Sequence, residues 1–373
     1  MNPVLKYRGG KSREIPRFLT YVPDDFNRYV EPFFGGGALF FHLKPNSAAI
    51  NDISRDLIQY YQLIKSQDRQ LYELLMCYSN SFNNLVNVCS DEANYLINIF
   101  REIENEQIDK AELSNELNLF ISGMADKINS GFTEKLLLDR EGFNKHLLHM
   151  AEDKFIRTVA NNKKKPFSEE DLRENLITGF TSGYYMYFRK IFNDINLGRI
   201  TDQTEQYRAA NFYFIREYCY GSMFRYNAKG EFNIPYGGMS YNRKNMKSKI
   251  DNMFNREISE LFENADIHCS DFEVFIGKIG TTESDFMFLD PPYDTDFSDY
   301  EGKDFTKLDQ ERLAHTLKKT LARFILVIKN TDFIRSLYEK DFNILSFDKQ
   351  YTYNVRSRND RDVEHLIITN LPV

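Results

Sequence analysis

Long hydrophobic runs, paired cysteines and an apolar leader are all missing from this sequence of 373 residues, and each absence closes off a class of protein. No stretch approaches the roughly 18 consecutive apolar residues of a membrane span. The most apolar segments, such as residues 324–328, have the length of buried strands. The four cysteines (Cys77, Cys89, Cys219, Cys269) show no C-x-x-C spacing. That argues against a disulfide scaffold or a four-cysteine zinc site and fits a reducing cytoplasm. The N-terminus, MNPVLKYRGGKSR, is basic but runs into no apolar core, so no secretory signal is expected. There is no internal repeat or low-complexity tract. With 28% charged and 42% apolar residues, the composition also excludes a wholly disordered chain. A soluble cytoplasmic protein of two domains is expected.

Excess positive charge is lacking overall. The net charge is −7, from 48 basic and 55 acidic residues, which alone argues against a phosphate-backbone partner. The average hides a reversal. Between residues 218 and 250, Arg225, Lys229, Arg243, Lys244, Lys247 and Lys249 face one acid, Glu231. That stretch carries +5 and leaves −12 for the rest of the chain. A basic stripe on an acidic body points to a directed anionic partner, and a solvated lysine-rich loop is the bland alternative.

Strand and helix alternate at both ends of the chain. Residues 29–34 and 48–52 read as short strands, with helical character after Ala38 and over 57–65. The texture returns with strands at 284–289, 324–328 and 365–369 and a helix over 307–321. This pattern predicts an α/β, Rossmann-like doubly wound sheet that binds ligands at the carboxyl ends of its strands. Residues 67–205 differ. They are polar and poor in proline, and apolar residues recur at helical spacing, as in Leu71, Leu74, Leu75 and Tyr78. A catalytic domain of residues 1–66 and 265–373, interrupted by a helical and recognition region over 67–264, is therefore expected. His146 and His149, at i and i+3, could bind a metal in principle. Without convincing companions they read as surface or packing residues.

Three segments carry chemistry. Asp290-Pro291-Pro292-Tyr293 follows the apolar run Phe286-Met287-Phe288-Leu289, and two prolines force the chain rigidly out of the sheet. An acid and an aromatic ring are thereby fixed at the sheet edge. A strand-ending turn with a capping Asp is the plain alternative. Methyl transfer to an exocyclic base amine needs more than a turn, because that lone pair is conjugated with the ring. A carboxylate and a proline carbonyl can accept its two N–H bonds, and Tyr293 can stack on an extruded base. The second segment, Glu31-Pro32-Phe33-Phe34-Gly35-Gly36-Gly37, fails the dinucleotide fingerprint because Phe40 stands where its last glycine should. It fits the looser F-x-G-x-G loop that holds the methionine end of S-adenosylmethionine. Asp52, closing the next strand, is placed to bind ribose hydroxyls, with helix capping as its alternative. In the third segment, Gly10-Lys11-Ser12 mimics the end of a phosphate-binding loop, but Leu5 occupies the position of the first glycine, so an ATPase is excluded.

In this order, these segments resemble the Dam family of site-specific DNA adenine-N6 methyltransferases (D12 class, alpha group). The family opens with a K-W-x-G-G-K-like segment, here Lys6 to Lys11 with Tyr7 for the tryptophan. The resemblance extends to Tyr185-x-x-x-Arg189-x-x-Phe192-Asn193, to a DNA-reading hairpin over 218–237, and to the closing strand 363–369. It implies that Tyr7, Lys11, Phe33, Gly35, Gly37, Asp52, Asp290 and, by a looser match, Asp271 and Phe272 line the S-adenosylmethionine site. Asp290, Pro291, Pro292 and Tyr293 become the catalytic tetrapeptide, with no metal required. Arg225 becomes the reader of a guanine. Tyr220 becomes an aromatic wedge, Met223 and Pro235 become contacts to a thymine methyl, and Lys229 a phosphate contact, with Asn227 beside them. The implied substrate is double-stranded DNA, with GATC as the site suggested by the hairpin. A companion restriction endonuclease is an admissible partner, and the oligomeric state is left open. Cytosine-N4 or RNA-adenine methylation, or a regulator of the same fold without turnover, are the alternatives. Residues 77–178 have no counterpart in this resemblance.

Overall fold

Residues Arg323–Lys329 form a strand whose five central side chains are all buried. Such a run, apolar on both faces, belongs in a sheet covered on both sides. The structure, a computed structural model, describes residues 1–7, 9–133, 135–293, 299–300, 303–350 and 362–372. Arg8 of the opening basic segment lies outside them. Two compact units emerge. One comprises Met1–Ser66, Phe224–Tyr226 and Asn255–Val373, and the other Gln67–Met223 and Asn227–Phe254. Among the described residues no helix is long and apolar enough to cross a membrane.

The first unit is built on a seven-stranded sheet. We label its strands β1 (Arg28–Glu31), β2 (Ala48–Asn51), β3 (Ala265–His268), β4 (Asp285–Leu289), β5 (Arg323–Lys329), β6 (Asn343–Gln350) and β7 (Asp362–Thr369). The spatial order is β3-β2-β1-β4-β5-β7-β6. β7 runs antiparallel to both its neighbours, and the remaining pairs are parallel. The expected doubly wound α/β architecture is present. Tyr29 of β1 lies opposite Ala48 on one side and Phe286 on the other. Alternate residues point to opposite faces. Val30, Met287, Leu326 and Ile368 pack under Phe275, Leu313 and Ile334 from helices Phe272–Ile279, Lys307–Lys319 and Asp332–Tyr338. On the other face, Phe288 stacks on Phe18 with ring centroids 5.2 Å apart, and Tyr29 meets Phe40. Phe262 also reaches Phe40, so helix Arg256–Glu263 belongs with the sheet, and this unit resumes before β3 begins.

Two expected strands are shorter than the sequence pattern indicates. β1 ends at Glu31 rather than Phe34, because Pro32 has no N–H for the ladder and the chain turns at Gly35. β2 ends at Asn51, which leaves Asp52 just beyond the strand. The order reverses between β1 and β4. Their carboxyl ends therefore lie side by side at a topological switch point, where open α/β sheets bind ligands.

The second unit is helical. Its longest members are Arg69–Asp91, Arg140–Asn162 and Glu169–Asn196. Gly179 and Gly183 let the last two approach closely. A Cβ on Gly183 would lie 2.6 Å from the Leu147 Cα, and one on Gly179 would lie 2.9 Å from the Ala151 Cα. The core is aromatic, with Tyr78 stacked on Phe214 at 4.7 Å and its hydroxyl accepting from Asn211 Nδ2 at 3.0 Å. His146 bonds through Nδ1 to the Gly142 carbonyl at 2.7 Å and packs against Tyr187, which is a packing role.

Candidate active site

The turn after β1 is shaped by glycine. Gly35 has φ +48° and Gly37 φ +62°, values that favour glycine, and a Cβ on Gly35 would press within 3.2 Å of the Tyr7 ring. Tyr7 therefore lies against the glycine loop. The Gly35 N–H donates to Asp52 Oδ2 at 2.9 Å, and Ser54 N–H donates to Oδ1 at 2.9 Å. Asp52 thus ties the loops after β1 and β2 together. Asn51, beside it and buried, is a second tie. Its Nδ2 donates to the carbonyls of Pro32 and Ser270, and its Oδ1 accepts from the Ser270 N–H at 3.0 Å.

Glu31 is buried at the end of β1 and accepts a 2.8 Å hydrogen bond from the Tyr29 hydroxyl. Burial pushes its carboxyl well above the usual range against that bond, and the nearby charges of Asp290 and Asp52 push the same way.

Asp290 stands at the end of β4. Its Oδ1 receives Lys11 Nζ at 2.5 Å, and the same ammonium donates to the Tyr293 hydroxyl at 2.8 Å. Lys11 is only 2% exposed, whereas the Asp290 side chain is 21% exposed. The Tyr293 hydroxyl in turn lies 3.2 Å from Nε2 of His365 on β7. Gln310, buried in helix Lys307–Lys319, donates to the Pro292 carbonyl at 2.8 Å and braces the turn. An acid at a sheet edge, a proline turn and an aromatic ring are thus held together by residues from three distant segments. Asn51, Gln310 and His365 are not among the site residues expected from the sequence. Nothing in spacing singles them out, because each lies inside an ordinary strand or helix.

Asp271 and Phe272 follow β3. Asp271 caps helix Phe272–Ile279 through the Glu273 N–H at 3.0 Å, and the same oxygen receives Arg312 Nη2 at 2.7 Å. Arg312 also pairs with Glu273 and Asp309 and lies 5.0 Å over the Phe272 ring. Hydrogen bonding to Asp271 is the main cause that raises the guanidinium further above its usual range. Phe33 meets Phe272 with ring centroids 5.4 Å apart.

The expected recognition hairpin is irregular. Cys219 bridges antiparallel to Tyr236, Tyr220 N–H donates to the Pro235 carbonyl, and Gly237 N–H donates to the Tyr218 carbonyl, each of these two bonds at 2.9 Å. Continuous strands do not form, because residues Tyr220–Ser222 make a 3₁₀ turn with Gly221 and Ser222 both at positive φ. The returning arm alternates: Phe232, Ile234 and Tyr236 are buried and Pro235 is exposed. The Tyr185, Arg189 and Asn193 pattern now has a reason. At i, i+4 and i+8 they share one helix face. Tyr185 and Arg189 donate to the Ile234 carbonyl at 2.9 and 3.1 Å, and Asn193 exchanges two bonds with Phe232.

At the tip, Asn227 Oδ1 accepts from Lys229 and Glu231 N–H groups, so its side chain shapes the turn. Lys229 is exposed there, while Tyr220 and Met223 are half-buried. Arg225 is exposed and falls within the short stretch Phe224–Tyr226 that groups with the sheet unit. Two cations of the basic stripe are paired with acids from outside it. Arg243 pairs with Glu170 and Glu174, Lys249 with buried Glu217, and Lys244 donates to the Glu217 carbonyl and covers the Tyr241 ring. Sequence-local counting could not see these distant acids.

A profile of the D12 class N6 adenine-specific DNA methyltransferases matches residues 7–176 and 154–353. Type II methyltransferase M.CviBI of Paramecium bursaria Chlorella virus NC1A is 26% identical over 99% of this chain and 100% of its own length. Type II methyltransferase M1.LlaDCHI of Lactococcus lactis subsp. cremoris is 25% identical over 99% of this chain and 95% of its own length. A DNA adenine methylase of Vibrio cholerae is 27% identical over 96% of this chain and 92% of its own length. The matches span the helical stretch as well as the sheet, and on that breadth the chain belongs to the D12 class of N6 adenine-specific DNA methyltransferases.

Proposed function

We propose that this methyltransferase carries a methyl group from S-adenosylmethionine to adenine N6 in double-stranded DNA, at a short fixed sequence and with the target base swung out of the duplex. The observation that carries the reading is the order of groups along the carboxyl edge of the sheet. Asp271 follows β3, Asp52 follows β2, the Gly35 loop follows β1 and Asp290 follows β4. Strands lie roughly 4.8 Å apart, so this line runs about 14 Å. That span suits an adenine, a ribose, an amino-acid arm and a target amine, in that order.

The residues present fit such a cofactor. Phe272 and Phe33 offer an apolar wall beside the Asp271 carboxylate, Asp52 after β2 would meet a ribose diol, and the glycine turn admits close backbone approach. Bound S-adenosylmethionine supplies an electrophilic methyl carbon on a sulfonium. The chain's own residues do the rest. Asp290 and the Pro291 carbonyl accept the two amine N–H bonds and hold the nitrogen lone pair toward that carbon. Tyr293 stacks on the base. For the amine to take its place, Lys11 gives up its contact with Asp290. Transfer would leave the carbon–sulfur electron pair on the cofactor's sulfur, and the proton shed by nitrogen would pass to Asp290 or water. Positioning is the main contribution.

Arg225 is assigned to guanine reading, with Tyr220 as the wedge, Met223 and Pro235 as apolar base contacts and Lys229 on phosphate. GATC is the site the hairpin suggests. Kinship with Type II methyltransferases supports a companion restriction endonuclease in the cytoplasm. The test is methyl transfer from labelled S-adenosylmethionine to unmethylated plasmid, with product sites mapped by single-molecule sequencing. N6-methyladenine confined to one short motif is the expected result. N4-methylcytosine, or no incorporation, refutes the reading.

A further inference from the structure

We propose that His365 is the positioning residue of Tyr293, and that it holds the stacking ring in place once Lys11 has given up Asp290. The inference rests on the assignment of Tyr293 as the residue that stacks on the target base. His365 lies on β7, the reversed strand of the sheet, opposite Phe347 of β6 and Lys329 of β5. Its neighbours along the strand, Leu366, Ile367 and Ile368, are apolar, and His365 itself is fully buried. A buried imidazole in such a strand is costly unless it is hydrogen-bonded.

Its Nε2 lies 3.2 Å from the Tyr293 hydroxyl, the two rings meet near edge-on with centroids 5.5 Å apart, and the Phe347 ring backs the imidazole at 5.7 Å. The imidazole tautomer sets the direction of the bond, and the proposed tautomer leaves Nε2 unprotonated. An ammonium can only donate, so Lys11 fills a lone pair of the Tyr293 oxygen. In that tautomer the phenolic O–H donates to His365 Nε2, with the imidazole as acceptor. Asp290, Lys11, Tyr293 and His365 thereby form one chain of contacts. The amine that enters at Asp290 displaces its first link. The bond to His365 does not involve Asp290, so it persists and keeps the ring from rotating while the base stacks.

His365→Leu removes the acceptor and should lower kcat about tenfold by letting the ring swing, with DNA affinity and KM for S-adenosylmethionine changed less than about twofold. His365→Gln places an acceptor near the same point and should restore most of kcat. Tyr293→Phe, which keeps the ring and loses the hydroxyl, should copy His365→Leu, and the double variant should be no worse than either alone. DNA carrying 2-aminopurine at the target position should be brighter when bound to His365→Leu, because stacking quenches it less. Circular dichroism and thermal melting identify any variant that fails to fold, and the Gln and Phe variants then carry the test. Wild-type kcat in folded His365→Leu, or equal loss in folded His365→Gln, overturns the proposal. Full activity in Tyr293→Ala overturns the stacking assignment beneath it.

Discussion

Lys11 and Asp290 stand 279 residues apart in sequence and 2.5 Å apart in space, and burial treats the two partners unequally. The ammonium is almost wholly enclosed, whereas the carboxylate keeps a fifth of its surface in reach of water. Removing one partner of a buried pair costs most where the survivor cannot be hydrated. Asp290→Ala should therefore abolish methyl transfer, largely spare DNA binding and destabilise the fold by about 3 kcal/mol. Lys11→Met should destabilise it less. Urea titration of both variants checks the ordering, and an equal loss would show that the ammonium has another adequate partner.

Glu31 should make stability depend on pH in an unusual direction. Burial raises its carboxyl above the ordinary value of 4.5, so the folded chain holds a proton that the unfolded chain releases. Its contribution is intact below the unfolded value and is lost as pH rises toward the folded one. Glu31→Gln keeps an acceptor for the Tyr29 hydroxyl but cannot ionise. The variant should gain in melting temperature over wild type as pH is raised from 4 to 8. A constant difference across that range would show that Glu31 is not held protonated.

The elements at the two ends of the chain were legible because parallel strands buried on both faces must be apolar throughout, as residues 324–328 are. The glycine loop and the proline turn were legible because backbone constraints leave few residue choices. What could not be read was everything set by contact across distance. Gln310, His365 and Asn51 look ordinary in their own segments, and their partners come from elsewhere in the fold. The charge of the basic stripe was overcounted for the same reason, since Glu170, Glu174 and Glu217, which pair with Arg243 and Lys249, lie outside residues 218–250. The hairpin's strand pattern was visible in Phe232, Ile234 and Tyr236, but the 3₁₀ kink depends on Ser222 joining Gly221 at positive φ, which a serine does not announce.

The crossing of helices Arg140–Asn162 and Glu169–Asn196 should be the most sensitive point of the helical unit. A methyl on Gly183 would meet backbone on two sides, the Leu147 Cα at 2.6 Å and the His146 carbonyl oxygen at 2.7 Å. Backbone cannot step aside as a flexible side chain can. Gly183→Ala should destabilise the protein by about 1–3 kcal/mol despite alanine's better helix propensity. Gly123→Ala, where no atom lies within 4 Å, is the matched control and should be neutral or stabilising. Thermal melts of the two variants decide whether the crossing is as tight as the geometry requires.

Arg225 and Lys229 should separate sequence reading from simple attraction. A guanidinium presents a planar fork that can engage two acceptors of one guanine edge, whereas an ammonium on a turn is a point charge that any phosphate satisfies. Arg225→Ala should therefore cost about 1–3 kcal/mol at one base pair of the cognate site, and should bring cognate and near-cognate methylation closer together. Lys229→Ala should weaken binding evenly across sequences and reduce the steepness of its salt dependence. Asn193→Ala tests the support of the arm that returns from the Lys229 turn. Its amide holds both backbone groups of Phe232, and its loss frees the returning arm without touching an exposed side chain. It should lower cognate affinity and leave the salt slope unchanged. Methylation of a library of sites at several salt concentrations reads all three variants. An unchanged cognate preference in Arg225→Ala would remove Arg225 as the reader.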